Sequence, residues 1–283
     1  MTEGPHAPDL CERDTDPFDV ARAAAGVIAD RTGEPRHDVA LVLGSGWAQA
    51  GALVGRTVAS IDNTDVPGFA AAVVEGHRGL ISSVAVADTG SRALVFGTRT
   101  HYYENRGVRA VVHAVRTAAA AGCRTIVLTN GCGGLRPEWV PGTPVLISDH
   151  INLTAASPLE GATFVDLTDA YSPRLRALAL DVDPSLEEGV YVQFRGPHYE
   201  TPAEVRMARV LGGDLVGMST SLETIAARES SLDVLGLCLV TNPAAGISPT
   251  PLEHAEVVRA GEAAAERSGH LLADILVRIA EEG

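Results

Sequence analysis

Tyr191-Val-Gln-Phe-Arg-Gly-Pro-His-Tyr-Glu200-Thr-Pro-Ala-Glu204 joins the two kinds of element from which this chain is built. Its opening residues, Tyr191–Phe194, form a short apolar run of the kind that makes a buried strand. Thr201 then reads as a helix N-cap, Pro202 as the first helical position and Glu204 as the reciprocal member of a capping box. A strand therefore hands over to a helix, and Glu200, one residue ahead of the cap, is held in place. A fixed carboxylate beside an aromatic ring, Tyr199, suits a flat heterocycle carrying ring N–H donors. Taken alone, a solvated loop acid is the competing reading.

The same alternation runs along the chain. Val39–Leu43, Ala93–Phe96, Thr125–Thr129, Val145–Ile147, Leu215–Val216 and Val234–Thr241 are near-continuously apolar, as strands covered on both faces are. Between them helices show themselves by their ends. One runs from Asp16-Pro17 to about Arg31 and stops at Gly33; another spans Gly107 to Ala121 and closes at Gly122. Further starts are Thr201-Pro202, Thr220 with Glu223, and Thr250-Pro251 with Glu253, the last opening a long terminal helix. The fold class is α/β, read as one domain over residues 16–283 behind a flexible tail, residues 1–15. Pro137–Pro144 and Ser157–Thr168 read as loops. Nearly every apolar run ends in Gly, Ser, Asn, Arg or Glu, and ligands collect at strand carboxyl ends in such sheets. These tails predict one pocket.

Composition narrows the classes. Of 283 residues, 46% are hydrophobic, and 22 Lys and Arg face 36 acids for a formal net charge of −14. That balance argues against general binding to nucleic acid or acidic membranes, and no apolar run approaches the ~20 residues of a membrane span. Any anion must be captured by a local constellation. Cys11, Cys123, Cys132 and Cys238 are scattered, without metal-ligand spacing, so reduced thiols in a cytoplasmic protein without a metal are expected. The N-terminus has acids where a secretory leader would carry Lys or Arg.

Two sets of residues carry chemistry. For an anion, Val39–Leu43 runs into Gly44-Ser45-Gly46, whose N–H groups and hydroxyl suit a phosphate; a structural turn explains the glycines about as well. Gln49 stands where a dinucleotide fingerprint wants glycine, and no P-loop Lys follows. Arg99 and His101, at i and i+2 after a strand, project to one side and would offer a planar fork and an imidazole to a single anion. Ser219 precedes the Thr220/Glu223 capping box, so its hydroxyl and the nearby amides sit at a helix N-terminus that favours an anion. For a base, Asn242 ends an apolar strand with an amide that both donates and accepts; a turn-forming Asn before Pro243 is the plainer reading.

Taken together, the chain resembles the purine nucleoside phosphorylases of the trimeric, 6-oxopurine-selective family. Similar blocks recur in family order: Leu43-Gly-Ser45-Gly-Trp47, Glu75-Gly-His77-Arg-Gly79, Arg99-Thr-His101-Tyr-Tyr103-Glu104, Thr129-Asn130-Gly-Cys-Gly-Gly134-Leu135, Ser148-Asp-His150, Val216-Gly-Met218-Ser219-Thr220, and Thr241-Asn242 followed by His254. The resemblance covers roughly Asp16 to the C-terminus. It implies a single-domain phosphorylase/hydrolase-like fold, a central mixed β-sheet flanked by helices. It further implies phosphate ligands at Ser45, Arg99, His101, the backbone of Gly131 and Ser219, with His77 beside them. Glu200 and Asn242 would read the base, Tyr199 and Met218 would wall it, and Tyr103 and His254 would lie near the ribose. Phe164 is similar to an aromatic that closes a neighbouring subunit's site in a homotrimer. Gly131 and Cys132 depart from the family, where alanines are common; a backbone donor survives either change.

The reaction so implied is reversible phosphorolysis of purine ribonucleosides or 2′-deoxyribonucleosides to free base and α-pentose 1-phosphate, as in purine salvage, with inorganic phosphate as co-substrate and no cofactor. Catalytic weight would fall on Asn242, Glu200 and His101. The nearest alternative is a 5′-methylthioadenosine phosphorylase, for which an Asp at position 242 would suit the exocyclic amine; the residue is Asn. A nucleoside hydrolase would favour an acidic, often metal-binding cluster, and a purine-binding protein would lack the phosphate set.

Overall fold

The computed structural model describes residues 10, 14–71, 79–247 and 254–282, with the backbone alone for 254–258. Helix α1 (Pro17–Thr32) starts where Asp16 accepts the Phe18 N–H at 2.9 Å and ends on Gly33 in the left-handed region, φ 73°. Strands β1 (Val39–Val42), β2 (Arg56–Asp62), β3 (Leu80–Ala85) and β4 (Arg92–Phe96) follow, then helices α2 (Gly107–Val111) and α3 (His113–Ala120). The second half comprises β5 (Thr125–Gly134), β6 (Pro144–Asn152), α4 (Pro173–Val182), β7 (Glu187–Gln193), α5 (Pro202–Val210), β8 (Leu215–Gly217), α6 (Ser221–Glu229), β9 (Asp233–Pro243) and α7 (His254–Glu282).

The strands form one mixed sheet in the order β2-β3-β4-β1-β5-β8-β7-β6-β9, with β9 also pairing β5. β5 is the hinge of this arrangement. Its first half lies parallel to β1 on one side and to β9 on the other, and its last residues pair antiparallel with β8. β5, β8, β7, β6 and β9 thus close into a ring, while β1, β4, β3 and β2 extend from it as an open sheet. β1 shows why both faces had to be apolar. Ala40 and Val42 join a core with Ile28 of α1 and Val115 of α3. Val39 and Leu41 face the opposite way, into a core with Leu175 of α4 and Leu272 and Ile275 of α7, as the two-residue period requires.

The structure differs from the sequence reading in three places. β2 and β3 were not signalled because β2 is largely exposed and β3 carries Ser82 and Ser83 among its apolar residues. α4 begins on a Ser-Pro cap, Ser172 accepting the Leu175 N–H at 3.4 Å. The helix expected over Gly107–Ala121 divides at Val112, where the Val115 N–H bonds the Val112 carbonyl at 3.1 Å in a tighter turn. Two adjacent β-branched residues, Val111 and Val112, crowd an ideal helix at that point. In the N-terminal segment Leu10 is buried and the Thr15 carbonyl accepts from Arg109 Nη1 at 2.9 Å. Among the described residues no helix is long and apolar enough to cross a membrane.

Candidate active site

The carboxyl ends of β1, β5, β7 and β9, with the segment after β4, meet at a cleft of about 210 Å³. Ser45, Arg99, His101, Tyr103, Gly131, Tyr199, Glu200, Met218, Ser219 and Asn242 all line it. Phe164 does not; it stands 94% exposed in the loop after β6. His77 lies outside the described residues, and His254 opens α7 but its side chain lies outside them too. Asn130, Cys132 and Thr241 also line the cleft, although the sequence assigns them no site role. Their signal was position alone, at or just past the ends of apolar runs.

On one side the polar groups are bound to one another. Arg99 donates from Nε and Nη2 to Glu223 Oε1 at 3.2 and 3.1 Å, and both side chains are almost wholly buried, 2% and 1% exposed. Its Nη1 reaches the Thr129 carbonyl and, at 3.4 Å, Ser219 Oγ. The planar fork expected to meet an anion is therefore engaged by Glu223. Gly44 makes this approach possible, since a Cβ there would stand 2.6 Å from Arg99 Nη1 and 2.9 Å from Asn130 Cα.

The amides at the start of α6 are likewise taken, which corrects their expected availability to an anion. Gln193 Oε1 accepts from Ser221 N–H at 2.8 Å and Leu222 N–H at 3.3 Å; Thr220 N–H goes to Glu223 Oε2 at 2.9 Å and Ser219 N–H to Tyr191 Oη at 3.3 Å. A Gln interrupting the apolar strand Tyr191–Phe194 was the available signal for that cap. Thr220 sits at φ 79°, ψ −50°, the centre of a γ-turn closed by Ser221 N–H to Ser219 O at 3.0 Å. Such backbone costs about 1–3 kcal/mol and persists only when over-determined. Here Asn130 Nδ2 donates to Thr220 Oγ1 at 2.9 Å, in addition to the contact with Glu223. What the turn leaves facing the cleft is the Ser219 side chain.

His101 is held by Glu104, which accepts from its backbone N–H at 2.7 Å and lies 3.3 Å from Nδ1. Burial alone would raise the Glu104 carboxyl, but these bonds outweigh it and hold it below the ordinary carboxylate range. Nε2 is then the ring nitrogen left for a ligand. Tyr103 lies in a 3-10 turn, Tyr102–Glu104, and stacks on His101 with ring centroids 4.8 Å apart.

On the other side the groups are less engaged. The cap that holds Glu200 forms as expected, with Thr201 N–H to Glu204 Oε2 at 2.7 Å and Glu204 N–H to Thr201 Oγ1 at 3.2 Å. Glu200 itself is buried, and its Oε1 has no hydrogen-bond partner among the described residues. Burial raises its pKa above the usual carboxylate value. Asn242 is oriented by Thr241 Oγ1 donating to its Oδ1 at 2.9 Å and by its own Nδ2 donating to the Pro243 carbonyl at 3.0 Å. Its second Nδ2 hydrogen has no partner among the described residues. The cleft thus pairs an anchored guanidinium, imidazole and hydroxyl with an acceptor and a donor set for a planar ring.

The sequence profile of the Phosphorylase superfamily matches residues 38–277. A purine nucleoside phosphorylase of Cellulomonas sp is 65% identical over 280 residues, 98% of this chain and 99% of that protein. The chain belongs to the purine nucleoside phosphorylases. Solved structures of the Schistosoma mansoni purine nucleoside phosphorylase superpose closely. Its complex with inosine gives a TM-score of 0.82 at 30% identity, covering 91% of this chain and 95% of that one. Its complex with adenosine gives 0.83 at 29%, covering 91% and 96%. As a purine nucleoside phosphorylase the chain is an enzyme, a pentosyltransferase, and its mixed sheet flanked by helices is the fold of that family.

Proposed function

We propose that this enzyme phosphorolyses 6-oxopurine nucleosides, inosine and guanosine and their 2′-deoxy forms, reversibly to the free base and the α-pentose 1-phosphate. The observation that carries the choice of base is the buried Oε1 of Glu200, without a partner among the described residues, beside the oriented amide of Asn242. A 6-oxopurine carries a proton on N1 for the carboxylate to accept, and the remaining Asn242 N–H suits N7. An adenine ring has no N1 proton and would leave the buried acceptor unmet, which is the strong form of discrimination. The S. mansoni enzyme's structures contain both inosine and adenosine, so the choice proposed for this chain rests on its own residues.

As the glycosidic bond breaks, the sugar gains positive charge and the base negative charge. Phosphate, held by Ser45, Arg99, His101, Ser219 and the backbone at Gly131, with His77 nearby, would stabilise the first and then attack. Asn242, with Glu200 fixing orientation, would stabilise the second by hydrogen bonding as N7 becomes basic. Tyr199 and Met218 would pack the base, Tyr103 and His254 the sugar. No group beyond phosphate is invoked. The active form is proposed to be a cytoplasmic homotrimer in which Phe164 covers a neighbour's sugar site; its 94% exposure, and the exposed Met207 and Val210 of α5 with Leu211 just past its end, support surfaces that a second copy covers. Purified protein assayed with inosine, guanosine, adenosine and methylthioadenosine, each with and without phosphate, tests this reading. Rapid, phosphate-dependent turnover of the first two is expected; equal rates on adenosine, or cleavage without phosphate, overturn it.

A further inference from the structure

We propose that Glu223 is a positioning residue for the phosphate side of the reaction, a buried carboxylate that locks Arg99 and the Thr220 turn into one arrangement. This rests on the assignment of Arg99 and Ser219 to phosphate. Glu223 contributes a different atom to each partner: Oε1 receives Arg99 Nε and Nη2 at 3.2 and 3.1 Å, and Oε2 receives Thr220 N–H at 2.9 Å. A helix-capping glutamate needs only the second contact. The first joins two sequence segments 124 residues apart.

The donor inventory shows what this does. A guanidinium has five N–H donors. Glu223 takes two of them, and the Thr129 carbonyl and Ser219 Oγ are met by Nη1. Four of the five donors are thus directed before any anion arrives; among the described residues one Nη2 hydrogen is left, and the long 3.4 Å contact of Nη1 with Ser219 Oγ is the one a ligand can most readily share. The same carboxylate holds the central residue of the strained turn that presents the Ser219 hydroxyl. The pair is also electrically neutral, so Arg99 offers an incoming phosphate directed donors rather than an uncompensated charge. Such pre-orientation places donors where charge will sit, at no reorganisation cost during the reaction.

The test compares phosphate KM, nucleoside KM and the dissociation constant for free hypoxanthine in Glu223→Gln and Glu223→Asp. Gln keeps the reach and loses the charge; Asp keeps the charge and the cap but falls short of Arg99. Each is expected to raise phosphate KM by about 10- to 100-fold, the scale of one charge-assisted hydrogen bond, with hypoxanthine binding within twofold of the parent. Arg99→Lys should raise phosphate KM as well, and adding Glu223→Asp to it should cost little more, because the two act as one unit. An unchanged phosphate KM in either folded variant, a parallel loss of hypoxanthine binding, or full additivity with Arg99→Lys would overturn the role. So would tighter phosphate binding in Glu223→Gln, which would make the carboxylate a competing charge. If Arg99→Lys itself leaves phosphate KM unmoved, the phosphate reading of Arg99 fails instead.

Discussion

The two halves of the cleft are built on opposite principles. Where phosphate is proposed to bind, Arg99, Thr220, the Ser219 N–H and the first amides of α6 all have protein partners, supplied by Glu223, Asn130, Tyr191 and Gln193. Where the base is proposed to bind, Glu200 holds a buried oxygen that no described residue satisfies. A largely paired network, in which Asn130 Oδ1, Gln193 Nε2 and Ser221 Oγ are the atoms left without a partner among the described residues, fixes geometry, and a ligand adds only the last few bonds. An orphaned acceptor in a low-dielectric setting destabilises the protein until a donor arrives, so it discriminates sharply between ligands that have that donor and those that lack it.

The contrast can be broken most directly at Arg99. Arg99→Ala leaves Glu223 buried and uncompensated, so chemical denaturation should show a loss of about 3–5 kcal/mol, together with a steep rise in phosphate KM. A variant of parental stability would show that buried Glu223 does not depend on Arg99 for its compensation. Next in size is Asn242→Asp, which exchanges the remaining amide donor for an acceptor and should lower inosine kcat/KM by about 10²–10³, the scale of one transition-state donor. Adenosine turnover should fall far less or rise; an unchanged inosine-to-adenosine ratio would remove Asn242 from base choice.

Glu200→Gln sharpens the comparison because stability and activity should move in opposite directions. Burial raises the Glu200 pKa, so the folded, ligand-free protein holds this proton more tightly than the unfolded chain. Its contribution to stability is therefore present at low pH and lost as pH rises from the ordinary carboxylate value through the raised one. The Gln variant should have the higher Tm at pH 7 and a Tm less sensitive to pH across that window, while inosine kcat/KM falls by about 10- to 100-fold. In the parent, inosine turnover should fail on the acid side at a higher pH than an ordinary carboxylate would give. A lower Tm for the variant would mean that the orphaned oxygen is satisfied after all. The smallest effect is expected at Phe164. Phe164→Ala should raise nucleoside KM by about 10-fold, roughly the loss of one buried aromatic contact, and leave phosphate KM unaltered. A monomer of full activity by light scattering and assay would refute the shared site.

Much of this was legible in the chain because it is local. The Asp16 and Thr201 caps, the stop at Gly33 and the apolar runs of β1, β5 and β9 depend on neighbours a few residues away, and hydrophobic periodicity together with capping chemistry reads them directly. The elements that escaped lacked such a signature: β2 is exposed on most of its length, and β3 places Ser82 and Ser83 in the sheet. The cleft followed from a topological rule about strand ends, which is why so many of the expected residues line it.

By itself, the sequence determined the α/β class, the principal capped helices, the strands buried on both faces and the residue types delivered to their carboxyl ends. Only the tertiary structure decided how those residues share their hydrogen bonds. The pairing of Arg99 with Glu223, the capping of α6 by Gln193 and the solitary oxygen of Glu200 join or separate groups far apart in the chain. A side chain's type says what it can donate or accept. Which donors remain for a ligand depends on every neighbour that folding brings within reach.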